Sequence, residues 1–423
     1  MADLMITPAK LTGSVTVPAS KSMSHRALIC AGLAQGQSRI RGATVSDDIT
    51  ATIGAMRALG ADIIAAGGEL TVSGGGVSPT AAVIDCGESG STLRFLMPLA
   101  LLGTRRMTFT GRGRLVERPV AAYADICRSQ GLLWESGGGL PVSLQGPLQP
   151  GAFSLRGDVS SQFLSGLLFA LPLLPGDSVI RVTTPLESKG YVDLTLAALA
   201  DFGIDICQHQ YREFRISGGQ CYRPRDYTVE GDFSQAAFWL VAGTIGAAVS
   251  CRGLLAASLQ GDKAIVDLIN AAGGSVQAID NGFTALPAAA RGSVIDAADC
   301  PDLVPVLAVL ASLSQGETRI IRAGRLRIKE SDRLAATAAE LGKLGADIRE
   351  EGDSLVIHGR EQLNGGAVDS WQDHRIAMAL AIASIRCQQP VWLRGAECVS
   401  KSYPHFWQDF SALGGIVNER CLG

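Results

Sequence analysis

The sequence predicts an α/β protein of two domains, each holding three copies of one structural unit. Length is the first observation, because 423 residues exceed what a single hydrophobic core usually supports. The second is a repeat. An amphipathic segment that ends in glycine and leads into a strand start recurs at Gly60, Gly131, Gly203, Gly273, Gly345 and Gly414, in steps of 71, 72, 70, 72 and 69 residues. The third is another segment in every unit, apolar on all sides, which belongs inside a domain.

In chain order these apolar helices are expected at Ala27 to Leu33, Leu93 to Leu102, Phe163 to Leu174, Ala236 to Ile245, Leu303 to Leu313 and Ile376 to Ile385. A short strand follows, as in Arg39-Ile40-Arg41, Met107-Thr108-Phe109, Val179-Ile180-Arg181 and Arg319-Ile320-Ile321. The amphipathic helix comes next, with spacing such as Ile49, Ile53, Met56 and Leu59, and its glycine stands where a C-terminal cap belongs. Strand-like residues close the unit, for example Leu70 and Val72, or Leu355 to Ile357. The expected architecture is a bundle of buried helices wrapped by short sheets. One domain is expected over residues 20–227 and the other over 228–423 with 1–19. The passage lies near the polar stretch Arg223 to Tyr227, and the strand-like Met5-Ile6 is expected to pack with the last units.

Hydrophobic residues make up 47% of the chain and charged ones 18%, with fifty glycines dispersed along it, which reads as globular and turn-rich. A net charge of −3 without a basic block argues against a nucleic-acid or membrane-surface partner. Ten cysteines, from Cys30 to Cys421, form no C-x-x-C pair, so reduced thiols in a cytoplasmic protein are expected. The N-terminus has no basic segment followed by an apolar run, and Phe163 to Leu174 contains Pro172 and is too short to span a bilayer. Nucleotide loops of the Walker or Rossmann kind are missing, and the histidines stand apart from paired ligands, so neither cofactor nor metal is expected.

Polar residues stand immediately before each apolar helix: Ser20-Lys21-Ser22, Glu88-Ser89-Gly90-Ser91, Ser160-Ser161-Gln162, Asp232-Phe233-Ser234, Asp299-Cys300-Pro301-Asp302 and Asp373-His374-Arg375. Six independent N-caps account for Asp232 and Ser234. They do not account for Lys21 or Arg375, because a cation at a helix N-terminus is disfavoured unless an anion neutralises it. Helix starts sharing one face would make an anion-binding cleft. Further cations lie in Arg112 to Pro119 and Arg325 to Arg333, each expected to open an amphipathic helix, and at Lys401. Such a set suits a substrate with several anionic groups.

Lys21 to Arg26, Gly87 to Arg94, Glu117-Arg118-Pro119, Ser160-Ser161-Gln162, Lys329 to Arg333 and Asp373-His374-Arg375 together resemble the enolpyruvylshikimate-phosphate synthase (3-phosphoshikimate 1-carboxyvinyltransferase) family along the whole chain. The resemblance implies a two-domain inside-out α/β barrel of βαβαββ-type repeats closing over a cleft. It also implies transfer of the enolpyruvyl group of phosphoenolpyruvate to the 5-hydroxyl of shikimate 3-phosphate, by a monomer with glyphosate as an inhibitor. By resemblance Lys21, Gly90, Arg118, Gln162, Arg333, His374, Arg375 and Lys401 hold phosphoenolpyruvate, with Gly90 letting the backbone approach it. Ser22, Arg26, Ser160, Ser161, Gln162, Ser188, Tyr191, Asp302 and Lys329 hold shikimate 3-phosphate, and Lys21, Asp302 and Glu330 do the proton and charge chemistry. Glu330 is also expected to pair with Arg333 on one helix. The sister transferase acting on UDP-N-acetylglucosamine carries a cysteine in its mobile loop; Gly111 to Arg118 has none, and Cys127 lies past it. A non-catalytic anion-binding relative is expected to have lost Lys21, Asp302 or Glu330.

Overall fold

The computed structural model describes residues 3–419; Cys421 lies outside the described residues. Among these the chain forms twelve α-helices in six pairs: α1 (Lys21–Leu33) with α2 (Asp47–Ala58), α3 (Gly90–Ala100) with α4 (Ala121–Gln130), α5 (Ser161–Ala170) with α6 (Lys189–Asp201), α7 (Phe233–Ile245) with α8 (Ala264–Ala271), α9 (Val304–Ser312) with α10 (Arg333–Lys343), and α11 (His374–Ser384) with α12 (Phe406–Ala412). The first helix of each pair is the apolar one, and in α7 every residue is buried. None of the described helices is long and apolar enough to cross a membrane.

Proline corrects several expected boundaries. α5 stops at Ala170 and continues as a 3-10 turn over Leu171–Leu173, since Pro172 has no N–H to donate. The cationic loops lie almost wholly outside the amphipathic helices, only Arg333 belonging to one, as the first residue of α10. They form separate 3-10 turns at Gly113–Glu117, Gly324–Ile328 and Ala396–Lys401, and Pro119 and Pro404 delay the helices after the first and the last. Glu330 accordingly lies before α10 rather than on it.

Six four-stranded sheets share one order: a parallel pair, then two antiparallel neighbours. In the first, Asp226–Thr228 runs parallel to Gly36–Arg41, which pairs with Glu69–Gly74 and so with Asp62–Ala66. Three sheets are completed by a strand distant in sequence. These are Asp226–Thr228, Gly13–Thr16 beside Val249–Arg252, and Leu4–Thr7 between Val391–Arg394 and Ile416–Glu419. The chain forms two compact units: Ala19–Val229, and Glu230 onward together with the residues up to Pro18. Each has its own core, with Phe95, Phe163 and Phe169 in the first and Phe238, Trp239 and Phe406 in the second.

Five of the six apolar helices are capped by their own side chain: Ser20, Ser89, Ser160, Asp232 and Asp373 accept from backbone N–H groups of the first turn. The exception is α9. A 3-10 turn, Pro301–Leu303, precedes it with no side-chain cap, which leaves the Asp302 carboxylate for other partners.

Candidate active site

In the unit Ala19–Val229, Lys21 begins α1 and its Nζ lies 2.7 Å from Asp48 Oδ2 in the first turn of α2. The anion that a cation at a helix start requires is thus first supplied by the protein. Arg26, one turn on, is buried; its Nε donates to Thr195 Oγ1 (2.9 Å), Nη1 to Ser22 O (2.7 Å) and Nη2 to Tyr191 O (2.7 Å), and the guanidinium lies 5.1 Å from the Phe95 ring centroid. Burial lowers its pKa to about 10, which still leaves a cation. Tyr191 N donates to Ser188 O at 3.1 Å, and Ser188 is a buried residue at φ 57, directly before α6. Ser22, Arg26, Ser188 and Tyr191 therefore stand together, with Arg26 tying α1 to α6.

Gly90 begins α3, and a methyl group there would meet Arg118 Nη1 at 2.8 Å. The group that closely approaches this glycine is the arginine side chain. Gln162 on α5 accepts from Arg94 Nη1 (2.7 Å) and donates to Ser91 Oγ (3.0 Å), while Arg94 Nη2 donates to Pro119 O (3.2 Å). Arg94 thereby holds the Arg118 loop against α3 and α5 and brings Gly90, Arg118 and Gln162 together. Ser160 caps α5 by accepting from Gln162 N, and Ser161 is buried beside it. A buried hydroxyl chain joins the starts of α1 and α3: His25 Nδ1 to Thr52 Oγ1 at 2.7 Å, Thr52 to Thr92 at 2.6 Å, and Thr92 to Ser89 at 2.8 Å. Burial, then Lys21 and Arg26, hold the His25 pKa well below 6.5, so the imidazole is neutral.

In the other unit Asp302 is a hub. Its Oδ1 accepts from Arg333 Nη1 (2.9 Å) and Lys329 Nζ (3.2 Å), and its Oδ2 from Arg375 Nη2 (3.0 Å). Arg333 is itself surrounded: Nε donates to Asp373 Oδ2 at 2.7 Å, and Nη2 lies 2.7 Å from Glu330 Oε2. Burial opposes the charge on Arg333, but Asp373, Glu330 and Asp302 outweigh it and raise its pKa. Burial lowers the Lys329 pKa, with Asp302 opposing the shift. Asp373 also accepts from Ser331 Oγ and caps Arg375 N, and Arg375 Nη2 reaches Ser234 Oγ. Asp302, Lys329, Glu330, Arg333 and Arg375 are thus in one network, and buried His374 has Nδ1 3.9 Å from Asp373 Oδ1. Lys401 touches the loop before α11, its Nζ donating to Gln372 O at 2.8 Å. Removing one member of such a buried network typically costs roughly 3–5 kcal/mol, because it leaves a charge without its counterpart.

A family model described as EPSP synthase (3-phosphoshikimate 1-carboxyvinyltransferase) matches residues 6–410. The chain belongs to the EPSP synthase family. The 3-phosphoshikimate 1-carboxyvinyltransferase of Clostridium kluyveri is 51% identical over 425 residues, spanning 100% of both chains; that of Clostridioides difficile is 49% identical over 437 residues, again spanning 100% of each. Among solved structures, EPSP synthase from Acinetobacter baumannii matches with a TM-score of 0.83 at 26% identity, covering 99% of this chain and 100% of that one. The enolpyruvyl transferase NikO from Streptomyces tendae shares the fold, with a TM-score of 0.80 at 19% identity and 99% of each chain covered.

Asp48, Arg94 and Asp373 bind Lys21, Gln162 and Arg333, and the sequence does not single out these pairings. Asp48 reads as an acid in the first turn of an amphipathic helix, which the dipole alone explains. Arg94 carried a signal, since a charge inside an otherwise apolar helix needs a buried partner. Asp373 reads as a cap; its second duty, holding Arg333, depends on a residue 40 positions away. Cys127 is buried in α4, and burial pushes its thiol up to about 11.

Proposed function

We propose that this chain transfers the enolpyruvyl group of phosphoenolpyruvate to the 5-hydroxyl of shikimate 3-phosphate, releasing phosphate on the route to aromatic amino acids. The observation that carries the reading, beside family membership, is that Asp302 Oδ1 and Glu330 Oε2 both lie on the Arg333 guanidinium, at 2.9 and 2.7 Å. The reaction needs a base at the hydroxyl and an acid at the methylene carbon within one substrate's width. Asp302 takes the hydroxyl proton as that oxygen bonds to C2 of phosphoenolpyruvate, and Glu330 protonates C3. The tetrahedral phospho-ketal then returns a C3 proton to Glu330 as its C–O bond to phosphate breaks. Lys21 stabilises the charge that develops.

In this reading Lys21, Gly90, Arg118, Gln162, Arg333, His374, Arg375 and Lys401 serve phosphoenolpyruvate. Ser22, Arg26, Ser160, Ser161, Gln162, Ser188, Tyr191, Asp302 and Lys329 serve shikimate 3-phosphate. Arg26, with its nitrogens donating to Thr195, Ser22 and Tyr191, serves chiefly by orienting its neighbours. In this reading each unit is an inside-out α/β barrel, and the reaction requires that water be kept from the enol ether. The protein works as a cytoplasmic monomer, and glyphosate competes with phosphoenolpyruvate.

Phosphate release with phosphoenolpyruvate and shikimate 3-phosphate, set against UDP-N-acetylglucosamine, is the test. Turnover is expected only with the shikimate ester, because the buried Cys127 thiol is a poor proton donor for the sister reaction. Lys21→Ala, Asp302→Ala and Glu330→Gln are each expected to lower kcat/KM by about 10²-fold or more in folded protein. Near-normal rates in any of them remove that residue from the chemistry.

A further inference from the structure

Glu340 lies seven residues after Arg333 on α10, two turns along the same face, and its side chain is 1% exposed. A carboxylate so deeply buried must have its oxygens satisfied. Lys343 Nζ donates to both at 2.8 and 2.9 Å, Trp371 Nε1 donates to Oε1 at 2.7 Å, and Asp369 N donates to Oε2 at 2.9 Å. Two of these three donor groups come from the segment Asp369 to Asp373, which runs directly into α11. The segment contains two successive residues in the left-handed region, Trp371 at φ 53 and Gln372 at φ 54. Neither is glycine, so the conformation persists only where the surroundings impose it. Ser370 Oγ donates to Gly395 O at 3.0 Å and Lys401 Nζ to Gln372 O at 2.8 Å, which restrains the middle of the loop.

We propose that Glu340 is a positioning residue for the reaction, fixing the loop that delivers Asp373, His374 and Arg375. Its effect on catalysis rests on the function proposed above, in which Arg333, His374 and Arg375 hold phosphoenolpyruvate. One face of α10 grips both ends of the loop, Glu340 at Asp369 and Trp371 and Arg333 at Asp373. Asp373 in turn caps Arg375 N and orients the Arg333 guanidinium. Loosening the Glu340 end lets the strained turn relax, and the displacement passes to both arginines. A glutamine offers one acceptor oxygen and an NH2 group, so either the indole N–H or the Asp369 N–H then faces a donor.

The experiment compares the full-length wild type with Glu340→Gln, Trp371→Phe and Lys343→Met, by steady-state kinetics in both substrates and by hydrogen exchange across 369–375. Glu340→Gln is expected to raise KM for phosphoenolpyruvate about 10- to 100-fold, to leave KM for shikimate 3-phosphate within about twofold, and to speed exchange in the loop. Trp371→Phe, which removes one indole N–H from a 39% exposed side chain, gives a smaller shift in the same direction and stands in if Glu340→Gln does not fold. Lys343 is half exposed and reaches the loop only through Glu340, so Lys343→Met, which leaves the buried carboxylate without its cation, shifts KM for phosphoenolpyruvate in the same direction as Glu340→Gln. Unchanged KM for phosphoenolpyruvate, equal changes for both substrates, or unchanged exchange across 369–375 each overturn the proposal. A wild-type chain that releases no phosphate sinks the reaction reading instead, and loop exchange then decides the role of Glu340 by itself.

Discussion

Arg118 lies so close to the first residue of α3 that a methyl group there has no room: a Cβ on Gly90 would stand 2.8 Å from Nη1 and 3.0 Å from Cζ. The obstacle is the far end of a long side chain, so Gly90→Ala is expected to fold normally and move the guanidinium. KM for phosphoenolpyruvate should rise severalfold while KM for shikimate 3-phosphate holds; initial rates check it, and unchanged kinetics mean that Arg118 does not meet that substrate. His25 gives a pH signature. Its folded pKa is depressed, chiefly by burial, below the ordinary 6.5, so between the two values the unfolded chain takes up a proton that the folded one refuses. Stability is unaffected above 6.5 and falls as pH drops below it. Between about pH 8 and about pH 5.5 the urea midpoint of the wild type should fall more than that of His25→Gln; equal falls would mean that the imidazole does not stay neutral. At this scale residue types were legible but pairings were not. Lys21 reads as a cation needing an anion, yet nothing local points to Asp48, because the pairing depends on how α1 packs on α2.

Helix ends and helix starts were legible to different degrees. The six repeat glycines all have positive φ, from 66 at Gly131 to 108 at Gly60, because a left-handed residue past the last turn is a local requirement that only glycine meets without strain. Their surroundings differ. Nothing lies within 4 Å of a Cβ at Gly131, whereas at Gly60 the Ser78 carbonyl oxygen would stand at 2.5 Å. Gly131→Ala should therefore cost about 1 kcal/mol, and Gly60→Ala clearly more, in urea or thermal unfolding. Equal costs would show that backbone conformation alone sets the effect. Helix starts are not legible where proline and 3-10 turns intervene. The turn Gly324–Ile328 and the extended Lys329 place Glu330 outside α10, although its pairing with Arg333 three residues on was readable.

Each compact unit holds three complete sheets, and Ala19–Val229 is continuous in sequence. Expressed alone, that segment should unfold cooperatively and bind shikimate 3-phosphate by calorimetry without releasing phosphate from phosphoenolpyruvate. An unfolded segment would show that its core is not self-sufficient. The repeat, the buried helices and the motifs at their starts were determined by sequence alone, because each depends on periodicity or on the chemistry of adjacent residues. Tertiary structure alone decided which distant strand completes a sheet, as Leu4–Thr7 does between Val391–Arg394 and Ile416–Glu419. It also decided which carboxylate meets which donor: Asp302 the cations Lys329, Arg333 and Arg375, and Glu340 the neutral N–H groups of a loop beginning at Asp369. Those pairings join residues tens of positions apart, and a buried charge selects its partner by where packing leaves it rather than by its neighbours in the chain.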